Sequence, residues 1–102
     1  MNIGCDIVEN KRLKDKDYEF AKLILKDSEL EEYKARGQSY LYGRFAVKEA
    51  IMKALPNTKT YSFLDFEILT NPDGSPYVVN NPNIKISISH EKEYTMAIAI
   101  IE

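Results

Sequence analysis

Several function classes fall away because the chain lacks what they need. It has one cysteine, Cys5, which excludes an intrachain disulfide and fits a reducing, cytoplasmic compartment. It has one histidine, His90, far from Cys5 in sequence, so zinc binding and thiol catalysis have weak support. Its longest apolar run, Met96 to Ile101, is far shorter than the roughly 20 residues a membrane-spanning helix requires. The opening Met1-Asn2-Ile3-Gly4-Cys5-Asp6 has neither a basic nor an apolar leader segment, so no secretory signal is expected. The charges nearly cancel, with 14 Lys and Arg against 16 Asp and Glu, whereas a bulk nucleic-acid binder is usually strongly basic. The phosphate-loop, dinucleotide and nucleophile-elbow motifs are all missing. No repeat, linker or low-complexity tract divides the 102 residues, and a single domain over 1–102 is expected.

What is present predicts an α+β fold. With 44% hydrophobic residues the chain can form one modest core. Ile3 to Val8 alternates as a strand does, with Ile3, Cys5 and Ile7 on one side and Gly4, Asp6 and Val8 on the other. Asp17 to Lys26 reads as a helix with Phe20, Leu23 and Ile24 as its apolar stripe. The run Ser28-Glu29-Leu30-Glu31 matches a capping box, so a second helix is expected to start at Ser28 and stop at Gly37. The clearest helix runs from Ser39 to Leu55, where Val47, Ala50, Ile51, Ala54 and Leu55 recur at helical spacing before Pro56. Tyr61 to Leu69 reads as a strand, Asn71 to Pro76 as a turn, and Tyr77 to Val79 as a short strand. Ile84 to Ser89 and Tyr94 to Ile101 form a hairpin around His90-Glu91-Lys92-Glu93. The sum is a mostly antiparallel sheet with helices packed on one face.

Three features suggest chemistry. Glu49 and Lys53 are helical neighbours, either as a solvated ion pair or, because Phe45 begins the same face, as part of a pocket. Asp6 lies inside an apolar strand, where carboxylates are disfavoured; it reads either as a cap for a nearby turn or as a hard-metal ligand. Together Asp6 and Glu49 suit Mg²⁺, which is usually held by one or two carboxylates plus waters and phosphate oxygens. Between Asn10 and Lys26 six basic residues face three acidic ones, a local charge of 6 − 3 = +3. That segment is either a solvated surface or a docking patch for an acidic partner.

In combination these features resemble the small 4′-phosphopantetheinyl transferases, the holo-(acyl-carrier-protein) synthases. Four blocks carry the resemblance: Gly4-Cys5-Asp6-Ile7-Val8-Glu9; Gly43-Arg44-Phe45-Ala46-Val47-Lys48-Glu49-Ala50 continuing to Lys53-Ala54; Gly74-Ser75-Pro76; and Ser87-Ile88-Ser89-His90. The resemblance implies a 4′-phosphopantetheinyl transferase-like fold. It also implies transfer of the phosphopantetheine arm of coenzyme A to a serine of apo acyl carrier protein, in the service of fatty acid and lipid biosynthesis. Adenosine 3′,5′-bisphosphate leaves, and Mg²⁺ is the cofactor. By the same resemblance Asp6 and Glu49 are metal ligands, and Glu49 and Lys53 are catalytic. Arg44, Lys53, Gly74, Pro76, Ser89 and His90 bind coenzyme A, and Lys11, Arg12, Lys14, Lys22 and Lys26 dock the acidic carrier. The family implies a homotrimer with sites between subunits, in which Arg44, Pro76 and His90 serve a neighbour's site. Where the family often has a glycine-rich segment, this chain reads Leu55-Pro56-Asn57-Thr58-Lys59-Thr60, so Lys59 and the threonine hydroxyls are expected to replace those phosphate contacts. Two rival classes are a non-catalytic adaptor of the same fold and a nucleotide hydrolase using the same carboxylate pair.

Overall fold

The alternating opening segment forms strand β1, Asn2–Glu9, in a computed structural model that describes residues 1–57 and 59–102. After a 3-10 turn at Asn10–Arg12 come helices α1 (Tyr18–Ile24), α2 (Asp27–Arg36) and α3 (Gln38–Ala54). A second 3-10 turn at Phe63–Asp65 leads to β2 (Ile68–Thr70), β3 (Pro76–Val78), β4 (Ile84–His90) and β5 (Tyr94–Ile101). Strands β1, β5 and β4 form an antiparallel sheet in that order, and β2 and β3 form a separate antiparallel ribbon.

The register decides what faces α3. Asp6 pairs with Ala97, which pairs with Ile88; Val8 pairs with Thr95, which pairs with His90. Residues directly opposite share a face, so Gly4, Asp6 and Val8 lie on the same side as Ala97, Ala99, Ile86, Ile88 and His90. Helix α3 packs on that side through Ala46, Val47, Ala50, Ile51 and Ala54, all buried. The small residues let helix and sheet come close. A Cβ on Gly4 would meet the Ala50 carbonyl at 2.2 Å, and one on Gly43 would meet the His90 ring at 3.1 Å. The helix therefore crosses the sheet from β4, near Gly43, to β1, near Ala50 and Ala54.

Several expected details differ. The apolar side of β1 points outward: Ile3 and Ile7 are 64% and 62% exposed. In α1 the buried residues are Ala21 and Ile24, while Leu23 is 67% exposed. Helix α2 begins one residue before Ser28. Glu29 reaches back to accept the Lys26 N–H at 2.8 Å, and the Ser28 hydroxyl donates instead to the Glu67 carboxylate. The long strand read at Tyr61 to Leu69 is broken by the 3-10 turn, where the Asp65 carboxylate accepts the Ser62 N–H at 2.8 Å. Phe63 then stacks on Phe45, with ring centroids 5.3 Å apart. No helix among the described residues is long and apolar enough to cross a membrane.

Candidate functional site

The two carboxylates singled out from the sequence meet at the β1 edge. Asp6 is brought there by strand alternation, which turns it beneath α3, and Glu49 by its place on the flank of α3 beside the buried stripe. Lys53, one helical turn beyond Glu49, donates to Asp6 Oδ1 at 3.0 Å. That hydrogen bond raises the lysine pKa, with the Asp6 and Glu49 charges acting the same way. Burial, and then the Asp6 charge, push the Glu49 pKa above its ordinary value, while Lys53 and Arg12 oppose the shift. A carboxylate pair with an ammonium resting on one member is a small anionic centre that has already drawn in a cation.

The other expected residues gather elsewhere. Gly43, Arg44, Gly74, Pro76 and His90 line one cavity of about 390 Å³, together with Arg36 and Thr70 among others. Arg44 is 5% exposed and rigidly held. Its Nε donates to the Ile68 carbonyl at 2.9 Å, one terminal nitrogen donates to Thr70 Oγ1 at 2.9 Å, and its guanidinium lies 4.2 Å from the Tyr40 ring centroid. Glu32 accepts from the Tyr40 hydroxyl at 2.9 Å and from Thr70 Oγ1 at 2.9 Å. Burial disfavours the Glu32 carboxylate, yet these hydrogen bonds and the Arg44 charge bring its pKa below the usual value. Burial, with Arg44 adding to it, lowers the His90 pKa and so favours the neutral imidazole. Ser89 does not join this group, because strand alternation turns it to the outer face of the sheet.

Strands β1 and β4 are the two edges of the sheet, so these groups lie at opposite edges of one chain. The expected docking residues are also dispersed. Lys11 and Lys14 line one groove with Lys92, and Lys22 and Lys26 line another with Leu64. Lys11 pairs with Glu9 at 3.5 Å and Lys22 with Glu19 at 3.2 Å. Arg12 is exposed and bears on Glu49. Lys59 rests over the Tyr61 ring at 5.1 Å, and Thr58 lies outside the described residues.

Sequence reasoning missed the buried charges. Lys48 and Glu29 form an ion pair at 2.8 Å with both side chains fully buried, and Glu32 anchors Arg44. The available signal was positional: Lys48 lies four residues after Arg44 and three before Ile51, on the flank of the buried stripe of α3.

The family described as the 4′-phosphopantetheinyl transferase superfamily matches residues 2–99. The chain is 40% identical to the holo-(acyl-carrier-protein) synthase of Mycoplasma capricolum, over 97% of this chain and 92% of the relative. It is 38% identical to that of Bacillus subtilis, over 98% and 93%. Among solved structures, it superposes with a TM-score of 0.88 on a holo-(acyl-carrier-protein) synthase from Bacillus anthracis in complex with CoA (3′,5′-ADP), at 31% identity and covering 98% of this chain and 94% of that one. The Helicobacter pylori holo-(acyl-carrier-protein) synthase in complex with coenzyme A gives a TM-score of 0.83 at 30% identity, covering 98% and 99%.

Proposed function

The chain belongs to the 4′-phosphopantetheinyl transferase superfamily, and from that premise we propose how its residues divide the work. The enzyme transfers the 4′-phosphopantetheine arm of coenzyme A to apo acyl carrier protein. A serine hydroxyl of the carrier attacks the β-phosphorus of the coenzyme A pyrophosphate. The bond to the bridging oxygen breaks, adenosine 3′,5′-bisphosphate leaves, and the serine proton passes to a base. Relatives named as synthases over nearly the whole chain leave the adaptor and hydrolase readings without support.

The observation that carries this division is that Glu49 lies close enough to feel the charges of Asp6 and Lys53, with the Lys53 ammonium resting on Asp6. Two hard oxygen donors at a partly open edge fit Mg²⁺, and Lys53 on Asp6 is a stand-in for that cation. When bound, the ion supplies Lewis-acid neutralisation of the pyrophosphate. The chain's own residues do the rest. Lys53 is long enough to swing from Asp6 to a phosphate oxygen. Glu49, or a water held by Asp6, accepts the serine proton. Arg44, Gly74, Pro76 and His90 hold coenzyme A. Lys11, Arg12, Lys14, Lys22 and Lys26 steer an acidic carrier to the site.

A complete site uses the β1 edge of one copy and the β4 edge of another, in a homotrimer. The exposed apolar outer face of the sheet supports association: Ile3, Ile7 and Met96 are 64%, 62% and 47% exposed. The protein acts in the cytoplasm as a single domain over residues 1–102, supplying holo carrier for fatty acid and lipid biosynthesis.

Intact mass spectrometry tests the reaction. Apo acyl carrier protein incubated with this enzyme, coenzyme A and Mg²⁺ is expected to gain one phosphopantetheine mass, and EDTA to prevent the gain. A folded preparation that binds coenzyme A yet modifies none of several acidic carriers overturns the reading.

A further inference from the structure

The Lys48–Glu29 pair takes no part in the transfer chemistry, but it joins four elements. Lys48 Nζ, on α3, donates to Glu29 Oε1 at 2.8 Å and to the carbonyl of Ile24, the last residue of α1, at 2.7 Å. Glu29 in turn accepts the Lys26 N–H at the start of α2 and, at 2.9 Å, the Ile68 N–H of β2. Both side chains are 0% exposed.

A buried pair of this kind is a poor source of net stability, because removing two charges from water offsets most of their attraction. What it supplies is direction. Helix α1 needs that, since its seven residues are well below the roughly 12–15 at which a helix holds itself together. It buries only Ala21 and Ile24, and Leu23 and Lys22 point to solvent. Its last carbonyls have no partner within the helix. One of them is held by an ammonium on the helix that also carries Glu49 and Lys53.

We propose that Lys48 is a positioning residue for carrier recognition: through Glu29 and the Ile24 carbonyl it sets α1 and the α1–α2 junction, with Lys22 and Lys26, at a defined place relative to Glu49. The proposal rests on the reading of the basic segment as the carrier-docking surface. It goes beyond that reading by assigning the fixed geometry of the surface to a residue that never touches the carrier.

The test is a double variant, Lys48→Met with Glu29→Gln. It removes both charges and nearly keeps the side-chain volumes; the carboxylate accepts the Lys26 and Ile68 N–H groups on separate oxygens, so the single amide oxygen keeps one of those two bonds. Steady-state transfer is measured with carrier varied and with coenzyme A varied, alongside amide hydrogen exchange across α1. The expected result is a carrier KM raised about tenfold, equivalent to roughly 1.4 kcal/mol, with faster exchange in α1. The KM for coenzyme A and kcat stay near wild type, and Lys48→Arg, which keeps the charge, restores most of the carrier KM. A folded double variant with an unchanged carrier KM, or with both KM values raised equally, overturns the proposal. If the double variant does not fold, Lys48→Gln with Glu29→Gln, which removes both charges but keeps an amide donor near the Ile24 carbonyl, is measured under the same criteria, with a smaller rise expected in carrier KM only. A surface variant, Lys14→Glu with Lys22→Glu, reports on the docking reading separately. If it leaves carrier KM unchanged, the docking reading fails and takes the proposal with it. If it raises carrier KM while the buried variant does not, only the positioning role fails.

Discussion

Replacing Gly4 with alanine is expected to damage both fold and site through one contact. The added Cβ would stand 2.2 Å from the Ala50 carbonyl oxygen, 2.8 Å from the Ala54 nitrogen and 3.1 Å from the Lys53 Cβ. The first two are helix backbone, which cannot rotate aside as a side-chain tip can. Ordinary contact begins near 3.4 Å, so β1 and α3 must separate by about 3.4 − 2.2 = 1.2 Å. Overpacking of this size typically costs roughly 1–3 kcal/mol. At about 4–8 °C per kcal/mol for a domain near 100 residues, a middle value of about 2 kcal/mol lowers Tm by roughly 8–16 °C. The same interface carries the 3.0 Å contact between Asp6 and Lys53. A displacement near 1 Å at a reacting centre is worth about 100-fold in rate. The assay pairs a thermal melt with phosphopantetheine transfer followed by intact mass, at a temperature where the variant is folded. An unchanged Tm refutes the close packing of β1 on α3. A lowered Tm with a wild-type rate refutes the claim that this packing sets Asp6 against Glu49.

The remaining predictions concern the carboxylates and the assembly. Glu49→Gln is expected to abolish transfer without lowering Tm at pH 8. The folded pKa of Glu49 is raised, first by burial and then by Asp6, so its share of stability is full below the unfolded value near 4.3 and lost as pH rises through the folded value. At pH 8 the charged side chain is a burden that the amide removes, and a clear fall in Tm or a normal rate contradicts this. Glu49→Gln and His90→Ala chains, each inactive alone, are expected to recover about a quarter of the wild-type rate when refolded together in equal amounts, since a random cyclic assembly has both halves intact at one site in four. A mixture as inactive as its parents places the whole site within one chain instead.

Local pattern was legible wherever one principle ruled. Helix α3 was expected over Ser39 to Leu55 and runs Gln38–Ala54, because its apolar stripe is both regular and buried. The β4–β5 hairpin followed from Ile84, Ile86 and Ile88 alternating with polar residues before a tight polar loop. Asp6 stood out because a carboxylate inside a strand needs a partner, and it has one in Lys53. Where two local solutions competed, the sequence could not choose between them. Ser28 and Glu31 offered a capping box, but Glu29 is placed to cap Lys26 and serve Lys48 and Ile68 at once, and that depends on residues 19 and 39 positions away. Alternation in β1 separated its two faces without saying which lies inside. The helix takes the side of Gly4 because only that side admits its backbone, and the larger Ile3 and Ile7 remain outside. The charges of Lys48, Glu29 and Arg44 look solvated in a linear sequence, since their burial is decided by partners found only after folding.

The split of the site across the sheet has a consequence for symmetry. With β5 in the middle, the Asp6 and His90 edges lie two strand spacings apart, roughly 10 Å, and neighbouring strands hold them there. A twofold contact sets the same patch against itself, with residue i on j and j on i, so it completes the sites only where one continuous patch includes both the β1 and the β4 edge. A head-to-tail contact sets the β1 edge of one copy against the β4 edge of the next and repeats until the ring closes. Each closure completes one site, so the number of sites equals the number of chains. In the proposed homotrimer the exposed apolar outer face formed by Ile3, Ile7 and Met96 is the surface expected to turn toward the shared axis, where the copies would cover it.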